Sequence, residues 1–425
     1  MATPGHLLKR RILVSSVVGN ALEFYDFTLC GVFVAVLGST FFPLQNEEWA
    51  YIFGFSAFAA AFLTRPLGAF VFGYIGDRYG RKVALTWSVT LMGIPTFIIS
   101  ILPSYEMIGI FAPIVLIMCR LLQGLCTGGE YNGAAIFALE HLKTKPGMVS
   151  GMIAGSCAVG ALVAMLMGYV TIGSELTWAW RIPFALGALI SFLGFLIRRR
   201  TTETADFLKS SIGNIKVSPI KKVWHEDRKS LALSTAYGFI NGVLSYTLFA
   251  FLAVYIKQYV GYTTSQGIFY SLFGLLAFMS LCPVFGGYAD QISPVNALKL
   301  SGRLGIILPF ICFWLLQTQN GITIVIGQLL LGTLTASYVG PSHYFMQTLF
   351  PTSNRYTGAA LGFTIGIAIS GSSTPFVLTY LLDITHNLYI PAIYIVIHSV
   401  IWLIILEYLS PKIKIHYKIV PSEVP

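Results

Sequence analysis

Twelve long apolar segments, separated by short polar connections, take up almost the whole of this 425-residue chain. They lie near 12–42, 49–75, 83–102, 108–141, 147–172, 178–198, 229–259, 264–286, 296–317, 321–350, 354–382 and 388–409. A helix needs about 20 mostly apolar residues to cross a hydrocarbon core of about 30 Å. Every segment approaches or exceeds that length, and the longest predict tilts, kinks or extensions beyond the bilayer. Helices satisfy their own backbone polar groups in lipid, so runs of this kind read as spanning helices. The expectation is an all-α integral membrane protein with twelve transmembrane helices and almost no room for a soluble domain.

Charge confirms the class and sets an orientation. Only 10% of residues are charged, against about 25% in soluble domains. The net charge of +10 invites a nucleic-acid reading, but the basic residues lie between apolar runs and obey a topological rule instead. One set of connections carries Arg78, Arg81 and Lys82, then Lys143 and Lys145, the cluster from Arg198 to Lys229, Lys299 and Arg355. Both termini join this set through Lys9 to Arg11 and through Lys412, Lys414 and Lys418. The alternate connections hold mainly Glu47, Glu48, Glu106, Glu175 and Asp383, with Lys257 as the exception. Positive residues stay inside, so both termini are expected to be cytoplasmic. Lys9 to Arg11 resemble the start of a signal peptide, yet the apolar run that follows is too long and contains Glu23 and Asp26, which predicts an uncleaved first helix. All six cysteines fall in apolar segments without metal-ligand or disulfide spacing and read as inert thiols.

An internal echo divides the chain. Phe72-Gly73-Tyr-Ile-Gly-Asp77 closes the second segment and Phe285-Gly286-Gly-Tyr-Ala-Asp290 closes the eighth, half a chain later. Ala84-Leu85 and Ala297-Leu298 follow at equal offsets. Such a repeat is what a duplicated six-helix unit leaves behind. The expected organisation is a first bundle over 1–198, a central cytoplasmic loop over 199–228 that acts as a tether, and a second bundle over 229–425 with a short tail.

The run Gly73-Tyr-Ile-Gly-Asp77-Arg78-Tyr-Gly80-Arg81-Lys82 places glycines where the backbone turns, and sets an acid among bases that can pair with neighbouring helix ends. It resembles the signature loop of the major facilitator superfamily, which implies a conformational latch. Gly73, Asp77, Arg78, Gly80 and Arg81 would form it, with Glu140 a partner for Arg78 or Arg81 and Glu130 in a gating role. In the second half Asp290 is kept, but Gln291, Ile292, Ser293 and Pro294 replace the basic and glycine positions. That latch is expected to be weaker or made differently.

Further motifs narrow the resemblance. These are Gly19-Asn-Ala-Leu-Glu23-Phe-Tyr25-Asp26-Phe27, Arg65-Pro66-Leu-Gly68, the run from Arg120 through Gln123 and Gly128 to Tyr131, Trp180-Arg181-Ile-Pro183-Phe184, and Phe350-Pro351 with Arg355-Tyr356. Together they are similar to the metabolite:proton symporter family, most of all its proline/betaine members. The resemblance runs through nearly the whole chain and implies the two-bundle facilitator fold. It departs in the eleventh segment, where Thr364 stands in place of a usual asparagine and Ser370-Gly371-Ser372 is more polar than usual. The tail of about fifteen residues after the last segment is too short for the coiled coil of osmosensory members.

Charges inside the segments point to the mechanism, because an ionisable side chain at the bilayer centre costs at least about 2.5–3.5 kcal/mol and so marks a cavity or ion path. Glu23 lies roughly 16 Å into its segment at 1.5 Å per residue, and Asp26 shares its face. Arg120 reaches a similar depth from the other side in the fourth segment. By resemblance the first and fourth helices face a central cavity, so Asp26, with Glu23 as second candidate, is expected to couple protons, and Arg120 to pair with it or hold a substrate carboxylate. Arg65 is expected to pair with an acid of the first or fourth helix. Substrate contacts are expected from Arg120, Gln123, Tyr25, Asn241, Tyr246 and His343. Tyr237, Phe239, Tyr338 and Tyr344 are aromatic neighbours that suit packing more than a cation cage.

The expected activity is proton-driven symport of a small carboxylate or zwitterion such as proline or betaine, without a cofactor, by a monomer of the inner membrane. The alternatives are a dicarboxylate or other organic-acid symporter and an efflux antiporter. Antiporters of the superfamily that the chain resembles carry a glycine-proline motif in the fifth helix, and here Gly151, Gly155 and Gly160 have no proline beside them, which by that resemblance disfavours antiport. No phosphate-binding loop or histidine metal spacing points to an enzyme.

Overall fold

The computed structural model describes residues 4–43, 47–172, 176–211, 218–413 and residue 416. Glu175, Lys216, Lys414 and Lys418, used above to orient the chain, lie outside them. The described residues are nearly all helical: α1 (Pro4–Val32), α2 (Val34–Phe41), α3 (Glu47–Arg78), α4 (Arg81–Ile101), α5 (Tyr105–Ile108), α6 (Phe111–His141), α7 (Pro146–Ile172), α8 (Arg181–Arg199), α9 (Ala205–Ser211) and α10 (Pro219–His225). They continue as α11 (Arg228–Tyr246), a π-helical turn (Thr247–Phe251), α12 (Leu252–Gln258), α13 (Thr264–Ile292), α14 (Pro294–Leu316), α15 (Gly321–Val339), α16 (Ser342–Leu349), α17 (Arg355–Thr385) and α18 (Ile390–Leu409).

Among the described residues eleven helical stretches are long and apolar enough to span a membrane, and a bent pair makes up to twelve. That pair is the first segment, which turns by 65° between α1 and α2 at Phe33. Two other expected segments are also interrupted. The seventh passes through the π turn, and the tenth breaks at Gly340 and Pro341, where proline lacks the N–H that would continue the helix. The stretch expected as a plain tether contains α9 and α10. Side chains cap some of the helix starts: Thr263 and Gln266 form a reciprocal capping box on α13, and Asn320 accepts from the Ile322 N–H on α15.

The chain forms two compact units. The first comprises Met1–His141 and Ser156–Pro219, the second Leu142–Gly155 and Ile220–Pro425. Helices in lipid gain nothing from hydrophobic exclusion against each other, so small residues let backbones approach. In the first unit α3 packs on α6 this way: a Cβ on Gly124 would stand 1.9 Å from the Ala61 carbonyl oxygen, and one on Gly128 2.0 Å from that of Arg65. In the second unit α11 packs on α17 likewise, with Gly238 against the Phe363 carbonyl and Gly366 against that of Thr235. All six cysteines are buried and free.

Candidate functional site

Within the first unit, α1 presents Glu23 and Asp26 on one face, each 2% exposed. Asp26 is met from two other helices. Thr96 of α4 donates its hydroxyl to Oδ1 at 2.8 Å, and Arg120 of α6 brings Nη1 to 3.8 Å from Oδ2. Gln123, one turn along α6, closes the ring: its Oε1 accepts from Arg120 Nη1 at 2.7 Å and its Nε2 donates to Thr96 Oγ1 at 2.9 Å. The ion pair is therefore long, a matter of charge without a direct hydrogen bond. Nε and Nη2 of Arg120 are buried without a hydrogen-bond partner. A guanidinium presents its donors as a planar fork suited to a carboxylate, so two spare donors beside an ionisable acid are chemically significant.

The other expected residues fall in several places. Tyr25 points away from this ring: its hydroxyl donates to the Pro183 carbonyl at 2.8 Å, tying α1 to α8. Among the described residues Glu23 joins no salt bridge, and its buried Oε2 has no hydrogen-bond partner. Arg65, expected to pair with an acid, makes no salt bridge among the described residues; its guanidinium lies over the rings of Phe27 and Phe62, each centroid 4.6 Å away. Glu130 is fully engaged by Arg198 of α8, whose Nη1 donates to Oε2 at 2.9 Å and whose Nη2 meets Oε1, while Ser88 of α4 also donates to Oε2. Arg198 was expected in the exposed tether cluster. Instead it is 3% exposed, because Gly19 of α1 has no side chain to occupy its place; a Cβ there would lie 2.0 Å from Nη2.

The signature loop is built around Arg81. Its guanidinium meets Glu140 at 3.3 Å and Asp77 at 3.4 Å, and donates to the Gly76 carbonyl at 2.9 Å. Glu140 thus serves Arg81, whereas Arg78 is exposed and bonds the Tyr74 hydroxyl at 2.6 Å. Gly80 caps α4 at φ 118, a conformation that favours glycine. Thr204 donates to Glu140 at 2.6 Å, Phe207 lies under the Arg81 guanidinium at 5.2 Å, and Glu203 accepts from the Lys82 N–H at 3.1 Å. These contacts seat α9 on the loop. Gly73 lies buried in the last turns of α3.

Asp290 in the second unit works through backbone. It accepts from the N–H groups of Gly147 and Met148 at 2.6 and 3.0 Å, at the start of α7, where free amides and the helix dipole favour an anion. Gly147 and Gly286 allow this approach, each lying where a Cβ would strike the other's carbonyl oxygen at 2.1 and 2.0 Å. The second loop is thus made differently, as its altered sequence implies.

In the same unit Asn241 is 2% exposed, with Nδ2 3.4 Å from the Tyr237 hydroxyl and Oδ1 accepting from Ser245 at 3.2 Å. The Tyr246 ring lies over Gly371 of α17. His343 starts α16, and its backbone N–H donates to Ser150 Oγ at 3.0 Å. Tyr237 is a packing residue, set among Phe345, Phe363 and Trp402, with its hydroxyl on the Tyr338 carbonyl at 2.8 Å.

Two bundles of spanning helices, with a buried charge ring inside one and loop devices at repeated positions, have the build of a membrane transporter. The Major Facilitator Superfamily profile matches residues 27–375, and the chain belongs to that family. It is 35% identical to a "Putative proline/betaine transporter" of Staphylococcus haemolyticus (strain JCSC1435), over 95% of this chain and 88% of the relative. It is 30% identical to the "Glycine betaine/proline/ectoine/pipecolic acid transporter OusA" of Dickeya dadantii and 29% identical to the "Proline/betaine transporter" of Escherichia coli (strain K12), each over 93% of this chain and 82% of the relative. Among solved structures, the proton:xylose symporter XylE bound to 6-bromo-6-deoxy-D-glucose superposes with a TM-score of 0.77 at 15% identity, covering 96% of this chain and 97% of that one, a likeness of fold. The protein is a multi-pass transporter of the inner, or plasma, membrane.

Proposed function

We propose that this transporter imports a small zwitterion of the proline/betaine type by symport with protons, through alternating access. The substrate class rests on the names of its relatives, and the coupling on one observation: Arg120 keeps two unused donors while its partner Asp26 stands at 3.8 Å. A proton on Asp26 removes the negative charge that holds Arg120, and the guanidinium fork is then available to a substrate carboxylate. Release of the substrate returns Arg120 to Asp26 and expels the proton. Gln123 and Thr96 keep both groups in register in either state. The proton gradient is the drive, and no cofactor takes part.

Purified protein in proteoliposomes under an imposed inward proton gradient tests this. Labelled proline and glycine betaine are expected to accumulate and to lose that accumulation when the gradient is collapsed. Accumulation of 2-oxoglutarate or citrate instead would overturn the zwitterion reading, and indifference to the gradient would overturn the coupling.

A further inference from the structure

Arg65 is held in an uncommon way for a cation within a spanning helix. It lies in the span Ser56–Arg78, where a guanidinium facing hydrocarbon would be costly, so its side of α3 faces protein or water. It makes no salt bridge among the described residues. Its partners are aromatic faces, Phe27 of α1 and Phe62 of α3, both at 4.6 Å. Phe58, one turn before Phe62, completes a trio: the ring centroids are 4.7 Å apart for Phe27 and Phe58, 5.1 Å for Phe27 and Phe62, and 5.6 Å for Phe58 and Phe62. All three rings and Arg65 are half-buried, so the group is reachable and not sealed in the core.

An acid waits nearby with a free valence. Glu23 is 2% exposed and its Oε2 has no hydrogen-bond partner. The Arg65 Nε is equally unpartnered. Glu23 stands one turn before Phe27 on α1, and Arg65 one turn after Phe62 on α3, so a charge and a ring lie in successive layers on both helices. Opposite charges each retain an unused hydrogen-bonding group while the cation rests on rings instead. A second arrangement, with Arg65 on Glu23 and the rings vacated, satisfies both groups.

We propose that Phe27, Phe58 and Phe62 form the seat for the substrate's ammonium group, that Arg65 fills it at rest, and that the incoming cation displaces Arg65 towards Glu23. The inference rests on the zwitterion reading above. Cation–π attraction needs no N–H donor on the ligand, so the seat takes a fully alkylated ammonium as readily as a secondary one. The substrate's carboxylate is left for Arg120, as in the reading above. One cation replaces another on the rings, and Glu23 gains a partner in the exchange.

Calorimetric binding of glycine betaine and of tetramethylammonium, a cation without a carboxylate, to the purified full chain tests the seat. Phe62→Leu keeps an apolar side chain but removes the ring face, and is expected to weaken both probes about 3- to 30-fold while thermal unfolding stays near wild type. Arg65→Gln removes the resident competitor and is expected to tighten tetramethylammonium binding. Wild-type affinity in a folded Phe62→Leu variant, weakened binding in a folded Arg65→Gln variant, or no binding of tetramethylammonium by the wild type would each overturn the seat. Should Arg65→Gln fail to fold, Phe58→Leu supplies the second measurement, with the same expected weakening and the same overturning result. Phe62-dependent binding of tetramethylammonium without betaine transport would sink the zwitterion reading and leave the seat. Betaine transport with an unchanged Phe62→Leu affinity would do the reverse.

Discussion

The two units bury different kinds of polarity. In the first, Glu23, Asp26, Asp77, Arg81, Arg120, Glu130, Glu140 and Arg198 are all 3% exposed or less, and most are joined in three separate charge clusters. In the second, the buried polar side chains are mainly hydroxyls and amides such as Asn241, Gln328, Thr335 and Gln347, with Arg355 the charged exception among the described residues. The loop devices differ in the same sense. Arg81 gathers two carboxylates, whereas Asp290 takes two backbone N–H groups. A charge cluster can change state when one proton arrives, and a network of hydroxyls and amides cannot. Under the proposed coupling, the proton response falls to the first unit and the second responds through packing.

If that contrast holds, the largest stability loss follows from breaking a charge cluster of the first unit. Arg198→Ala leaves Glu130 buried without its counter-charge and is expected to cost about 3–5 kcal/mol, seen as a large drop in thermal unfolding temperature. The double change Arg198→Met with Glu130→Gln removes both charges and is expected to recover much of that loss; an equal loss in the double variant would show that shape rather than charge is at stake. In the second unit the sensitive contact is backbone against backbone. Gly151→Val places a side chain where a Cβ would lie 2.1 Å from the Cys282 carbonyl oxygen, and overpacking of this kind costs about 1–3 kcal/mol. Asp290→Asn keeps the shape but drops the charge at the start of α7, for an expected loss of about 0.3–1 kcal/mol. A loss as large as that of Arg198→Ala would erase the distinction between the units. Arg78→Gln, at an exposed residue of the signature loop, is expected to shift stability by no more than about 0.5 kcal/mol.

Much of this was readable from residues alone, for identifiable reasons. Asp26 and Arg120 announce themselves because charge is rare in apolar runs, and helical rise places both at similar depth. Thr96 gives no such signal: a threonine beside Pro95 in an apolar segment looks like any other, and only the meeting of α1, α4 and α6 makes it the Asp26 donor. Arg198 opens a basic run that reads as a topological marker, and its burial depends on Gly19, far away in sequence. The choice of Arg81 over Arg78 for Glu140 depends on which side chain turns inward after Gly80, which spacing does not specify. Nor does any proline mark the bend at Phe33. The ring contacts of Arg65 were hidden for a related reason, since a sequence shows a cation's opposite charges more readily than its aromatic neighbours.

The central claim is that the Asp26–Arg120 ring couples protons to substrate, and Asp26→Asn in proteoliposomes addresses it most directly. The amide keeps the shape and the Thr96 contact but can neither bind nor release the transported proton. Exchange of labelled for unlabelled proline or betaine across the membrane, which needs no net proton movement, is expected to persist, while accumulation driven by a pH gradient is expected to vanish. Gradient-driven accumulation at the wild-type level in Asp26→Asn would contradict the account.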